Sequence, residues 1–136
     1  MPGSPSRNNT LVPLTHQCSC PGFQLTYKCT VTGEAGATIW RGSIFQCSST
    51  DNTITLRHSA FTQIRSCNNG AIIGYGINSQ NGHYTSQINI TASSTMNNKT
   101  VECAYNDGST TSVIGTSIVT IISGIPSIII VTIGRL

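Results

Sequence analysis

Charge is scarce in this chain. Only 8% of its 136 residues are charged, against roughly 25% in an average soluble domain. Acids are rarest: Glu34, Asp51, Glu102 and Asp107 are all there are. Glu34 and Asp107 fall in turn sequences, and Glu102 falls on the outward face of an alternating segment. No two are placed to share acid–base work. No G-x-S-x-G occurs to mark a nucleophile elbow. Gly74-Tyr75-Gly76 lacks the third glycine and the following helix of a phosphate cradle. His58, near the end of a strand-like segment, reads as a surface residue. The chain is therefore expected not to be an enzyme and to need no cofactor. Basic residues are few and dispersed: Arg7, Lys28, Arg41, Arg57, Arg65, Lys99 and Arg135. A net charge of +3 without a basic cluster argues against a nucleic-acid partner.

Helix formers are also in short supply. There are 6 Ala and 5 Leu, against 18 Ile, 19 Thr and 17 Ser. β-branched side chains have stiff χ1 angles and suit a pleated surface, so a helical bundle or coiled coil is excluded. The length suits one domain.

The chain does have cysteine: Cys18, Cys20, Cys29, Cys47, Cys67 and Cys103. An even number in a short Ser/Thr-rich chain points to disulfides and an oxidising compartment. Six cysteines allow 15 connectivities, which spacing alone does not resolve. Structural zinc fits poorly. Cys18-Ser19-Cys20 is too tightly spaced, no second close pair exists, and His16, His58 and His83 are scattered. A redox C-x-x-C is absent. Residues 1–16 contain no apolar run long enough for a signal-peptide core. This conflicts with secretion unless the chain is a fragment or its start is misplaced, which is the expectation; a cytosolic protein is the alternative. Asn8-Asn9-Thr10, Asn89-Ile90-Thr91 and Asn98-Lys99-Thr100 match the N-glycosylation sequon and lend secretion some support.

Residues 1–17 hold three of the five prolines and no periodic pattern, and are read as a flexible leader. The domain is expected over 18–122. Phe23 to Val31 alternates, with Phe23, Leu25, Tyr27, Cys29 and Val31 on one face, which predicts a half-buried strand. Thr38 to Phe45 reads as the next strand, with Trp40 on one face and Ile39 and Arg41 on the other. Thr53 to His58 is a short strand carrying Ile54 and Leu56. Ala71 to Ile77 is broken by Gly74 and Gly76 and reads as an edge or bulged strand. Thr85 to Ala92 sends Ile88 and Ile90 inward and Asn89 outward. Thr100 to Tyr105 puts Val101, Cys103 and Tyr105 on one face, with Glu102 and Ala104 on the other. Asn106-Asp107-Gly108 is a hairpin signal, and Thr111 to Ile122 is the final strand. Short strands separated by turns imply a β-sandwich or barrel.

Cys29 and Cys103 lie on inward faces of well-patterned strands, and Trp40 lies on the strand after Cys29. This frame, over roughly residues 18–122, resembles an immunoglobulin-superfamily domain. There a strand-B and a strand-F cysteine bridge the sheets, and a strand-C tryptophan packs on the bridge. Cys20-Pro21-Gly22, Cys67-Asn68-Asn69-Gly70-Ala71-Ile72 and Thr100-Val101-Glu102-Cys103 are similar to phrases in Ig-like ectodomains of early-branching animals. Two departures stand out. Val101 occupies the position of the family's corner tyrosine, and Arg41 replaces the aromatic that often follows the tryptophan. The resemblance implies an immunoglobulin-like Greek-key sandwich of about seven to nine strands, with a Cys29–Cys103 disulfide and Trp40 in the core. A Cys47–Cys67 bridge is also expected, because the strand between them can return the chain to within bonding distance. Cys18 and Cys20 are left over.

Function follows by analogy: a non-catalytic recognition or adhesion module of a receptor-like protein, extracellular or at the cell surface. Its partner would be a protein or glycan ligand. A structural spacer between neighbouring domains is the alternative. Asn89 and Asn98 are the expected glycan sites, on solvent-facing surface. A glycan on Asn89 would leave the opposite sheet, including Arg41, for partner contact. Residues 123–136 form an apolar tail, within a run of 27 residues from Gly108 that carries no charge. Pro126 interrupts it, and Ile125 to Ile133 alone is too short to span a bilayer. The tail is read as a linker or a truncated membrane anchor.

Overall fold

The computed structural model describes residues 10–13, 18–19, 21–32, 35–59, 62–78 and 82–121. Alternation builds the strands, as in β3, Gln24–Thr32, where every second residue is buried. Leu25, Tyr27, Cys29 and Val31 are all at most 1% exposed. The strands before β3 are β1, Thr10–Pro13, and β2, Cys18–Ser19. After it come β4, Ala37–Arg41; β5, Thr53–Arg57; β6, Gln63–Cys67; and β7, Ile72–Asn78. The chain continues through β8, His83–Thr91; β9, Thr100–Asn106; β10, Thr111–Ile118; and β11, Thr120–Ile121.

The fold is all-β. One sheet has the order β1-β3-β8-β7-β6 and the other β10-β9-β4-β5. The pairs within both are antiparallel. The chain switches sheets after β3, β5 and β8, so non-consecutive strands become neighbours. This is the Greek-key arrangement of an immunoglobulin-like sandwich. Among the described residues, nine strands lie in the two main sheets, and the two-residue strands β2 and β11 add a parallel pair. Between the sheets lie Leu25, Ile72, Ile88 and Ile90 from one side, with Trp40, Ile54, Leu56 and Val101 from the other. Full burial of each such aliphatic side chain contributes roughly 1.5–3 kcal/mol.

Several segments depart from the expected pattern. Thr10–Pro13 pairs with Tyr27–Thr30, so part of the stretch read as a leader belongs to the sheet. Phe23 sits one residue outside β3, at the rim, and is 59% exposed. β4 stops at Arg41 because Gly42, at φ +135°, turns the chain away. Ile44 and Phe45 then plug the end of the core from a loop. Ala104, on the outer face of β9, is nonetheless buried. β6 has no alternation, since three consecutive residues in it are exposed. Its hydrogen-bonded register with β7 makes it a strand.

β7 is not an edge strand. It lies between β6 and β8. Its two glycines face inward, where a Cβ on Gly74 would come within 3.1 Å of Ile54 and one on Gly76 within 3.1 Å of Leu56. The missing side chains let the opposite sheet approach. The final strand breaks into β10 and β11, with a register shift between Val113 and Gly115. Residue 122 and the tail 123–136 lie outside the described residues. No helix among the described residues is long and apolar enough to cross a membrane.

Candidate recognition surface

Among the described residues, two disulfides hold the scaffold. Cys29–Cys103 joins β3 to β9 across the sandwich, with Cα atoms 6.5 Å apart. Cys47–Cys67 ties the loop after β4 to the end of β6, with Cα atoms 4.2 Å apart. Cys20 lies outside the described residues; of Cys18 the structure describes only the β2 backbone. Trp40 pairs in register with Cys103 and is fully buried. Its indole N–H donates to Ser86 Oγ at 2.7 Å, and the Ser86 hydroxyl donates to the Tyr75 carbonyl at 2.8 Å. A buried indole needs such a partner, and Ser86 supplies it from the opposite sheet.

Arg41 lies on the outer face of the four-stranded sheet, where strand register sorts side chains into rows. One row crosses Thr53, Arg41, Glu102 and Thr116. Arg41 Nε donates to Glu102 Oε1, and the pair is partly exposed. Thr116 Oγ1 donates to Glu102 Oε2 at 3.4 Å. The adjacent row crosses Thr55, Ile39, Ala104 and Val113. Val113 is 53% exposed, and Ile118, further along β10, is 59% exposed. An uncharged row with apolar members therefore lies beside one ion pair.

The opposite outer face also exposes apolar side chains, Val12 on β1 and Ile64 on β6. Thr26, Asn89 and Ile73 form one row, and Lys28, Gln87 and Tyr75 the next. Asn89 projects outward and is half-buried on an internal strand. Its Oδ1 accepts from Thr26 Oγ1 at 3.1 Å and from Gln87 Nε2 at 3.0 Å. Asn98 is exposed in the turn before β9, at φ +66°. Asn8 lies outside the described residues.

One end of the sandwich carries the turn at 35–36, the start of the 58–62 connection and the 107–110 hairpin. In the hairpin, the backbone N–H groups of Thr110 and Ser109 donate to the Asp107 carboxylate and hold its pKa down at about 2. Below this hairpin lies His58. The sequence reads it as a surface residue, but its ring stacks on Tyr84 at 4.1 Å and Tyr105 at 5.4 Å between centroids. Burial pushes its pKa down to about 4. Gly36, beside it, has φ +115°, and a Cβ there would lie 2.1 Å from the Asn106 carbonyl oxygen. Gly36→Ala is therefore expected to destabilise the domain by about 1–3 kcal/mol, through left-handed strain plus the clash. Thermal melting checks this; an unchanged Tm would contradict the packing of this turn.

Alternation alone places Arg41 outward, but it does not reveal the Ile39–Ala104–Val113 row. Alternation places each of these residues outward on its own strand. Only the register makes them neighbours. Among the described residues, no group of three or more His, Cys, Asp or Glu side chains is placed to hold a metal ion. A scan of the chain against protein-family models returned no match, and a search among curated proteins returned none.

Proposed function

We propose that this chain is a non-catalytic recognition module of the immunoglobulin superfamily, displayed outside the cell, and that it binds a protein partner through the outer face of the β10-β9-β4-β5 sheet. The observation that carries this reading is the Asn89 sequon in the middle of the five-stranded face, because a glycan there would leave the four-stranded face open. The four-stranded face presents exposed Val113 and Ile118 beside a self-satisfied Arg41–Glu102 pair. A low-charge, partly apolar patch with an arginine at its centre suits a protein interface. The five-stranded face also exposes Val12 and Ile64, in the row of Lys28, Gln87 and Tyr75, but it carries the Asn89 sequon in its middle. Glycans on Asn89 and on exposed Asn98 would mask that face and one end of the domain. The disulfides support an oxidising compartment. The strand order, the inter-sheet bridge and Trp40 beside it support the superfamily.

The test is a screen of the glycosylated chain against an array of extracellular proteins, followed by face-specific variants. Arg41→Glu places like charge beside Glu102, and Val113→Asp breaks the apolar row. Each is expected to weaken binding about tenfold or more, or roughly 1.4 kcal/mol. Thr85→Arg on the other face should leave binding unchanged. Equal loss from all three variants would refute the choice of face. No ligand at all would favour a spacer.

A further inference from the structure

We propose that His58 is an acid-operated latch: its neutral ring clamps the two sheets together at the 35–36/107–110 end, and protonation releases that end. The inference stands independently of the recognition reading. Tyr84 belongs to β8 of one sheet and Tyr105 to β9 of the other. The imidazole lies near-parallel to both rings, at 11° and 8°, so a single side chain bridges the sandwich. Its surroundings fasten the neighbouring turn as well. The His58 backbone N–H donates to the Gly36 carbonyl at 2.9 Å, and the Tyr105 hydroxyl donates to the Ala35 carbonyl at 2.6 Å. His58 Nε2 lies 2.9 Å from Thr38 Oγ1.

The other ring nitrogen makes this arrangement proton-sensitive. His58 Nδ1 is buried and has no hydrogen-bond partner among the described residues. An imidazolium carries N–H on both nitrogens, so protonation would create a charged donor with no acceptor. The rings in contact are tyrosines, whose faces attract a cation. Burial withdraws the ring from water, which disfavours the charged form and lowers the pKa. Among the described residues, the charged and titratable groups on the surrounding elements give the imidazolium no acid partner. On β4, Arg41 is bound to Glu102 of β9. On β5, Arg57 lines the small cavity beside His58 and adds like charge. On β8, His83 contacts Thr32. In the hairpin, Asp107 is held by Ser109 and Thr110. Glu34 lies outside the described residues.

The sign follows from linkage. The folded pKa of about 4 lies below the ordinary value of 6.5, so between those values the unfolded or opened state binds more protons. Stability is complete above about pH 6.5, falls as pH drops through that window, and levels off below about pH 4.

The test is hydrogen exchange of the full chain at pH 7 and pH 4.5, corrected for intrinsic rates, with an NMR titration of the histidine ring protons. Exchange at 35–36 and 105–110 should rise about tenfold at the lower pH while the centres of β3 and β8 stay protected. His58 should titrate well below 6.5. His58→Phe keeps a ring in the stack, removes the proton site, and should make exchange at that end independent of pH. Ordinary titration of His58, an unchanged loop end, or an unaltered acid response in His58→Phe would each overturn the proposal. If His58→Phe does not fold, the wild-type titration and exchange decide it.

Discussion

Trp40→Ala is expected to lower the unfolding free energy by about 3–5 kcal/mol, the usual cost of deleting a large buried aromatic. The effect has two sources. The indole is fully buried between the sheets, so its removal leaves a cavity that rigid strands close poorly. Its N–H donates to Ser86 Oγ, and that buried hydroxyl loses its donor, although it still donates to the Tyr75 carbonyl. Trp40→Phe separates the two, because it refills part of the volume without restoring the hydrogen bond. Its cost should fall clearly below that of alanine. Urea unfolding followed by circular dichroism checks both variants, since Trp40 is the only tryptophan and its fluorescence is lost. A loss below about 1 kcal/mol for alanine would mean the sheets do not close on this side chain. Domains are stable by only about 5–15 kcal/mol, so the alanine variant should be marginal at physiological temperature.

Removing the Cys29–Cys103 disulfide, as Cys29→Ala with Cys103→Ala, should cost about 4.5 kcal/mol. Removing Cys47–Cys67 should cost about 3 kcal/mol. The difference comes from the unfolded state. The first bridge spans a sequence separation of 74 residues and the second 20, and closing a longer loop removes more chain entropy. Both cysteines of the first pair are fully buried, so alanine also loses packing there. Non-reducing peptide mapping tests the connectivity, and denaturation of the two double variants tests the ranking. A larger loss from the Cys47–Cys67 variant would show that native-state contacts at that loop outweigh loop entropy.

Much of the scaffold is legible one strand at a time, because alternation is a local property. Leu25, Tyr27, Cys29 and Val31 announce their shared face within nine residues, and so do Ile88 and Ile90. β6 is illegible for the same reason: an edge strand with both faces largely exposed needs no alternation. Gly74 and Gly76 mislead because glycine lowers strand propensity. Their value lies in what they omit, a pair of Cβ atoms that would crowd Ile54 and Leu56. The candidate face was half visible. Arg41 can be placed outward from its neighbours, but its partner Glu102 lies 61 positions away.

The sequence by itself determined an all-β chain, the inward faces of its main strands, and cysteine and tryptophan positions suited to an inter-sheet bridge. These follow from side-chain period and composition, which are written locally. The tertiary structure decided which strands are neighbours. It thereby placed Ser86 under the Trp40 indole, Val113 beside Ala104, and His58 between Tyr84 and Tyr105. No local pattern encodes these meetings. They arise when strands distant in sequence pair in one register, and a shift of one residue would send each side chain to the other face of its sheet.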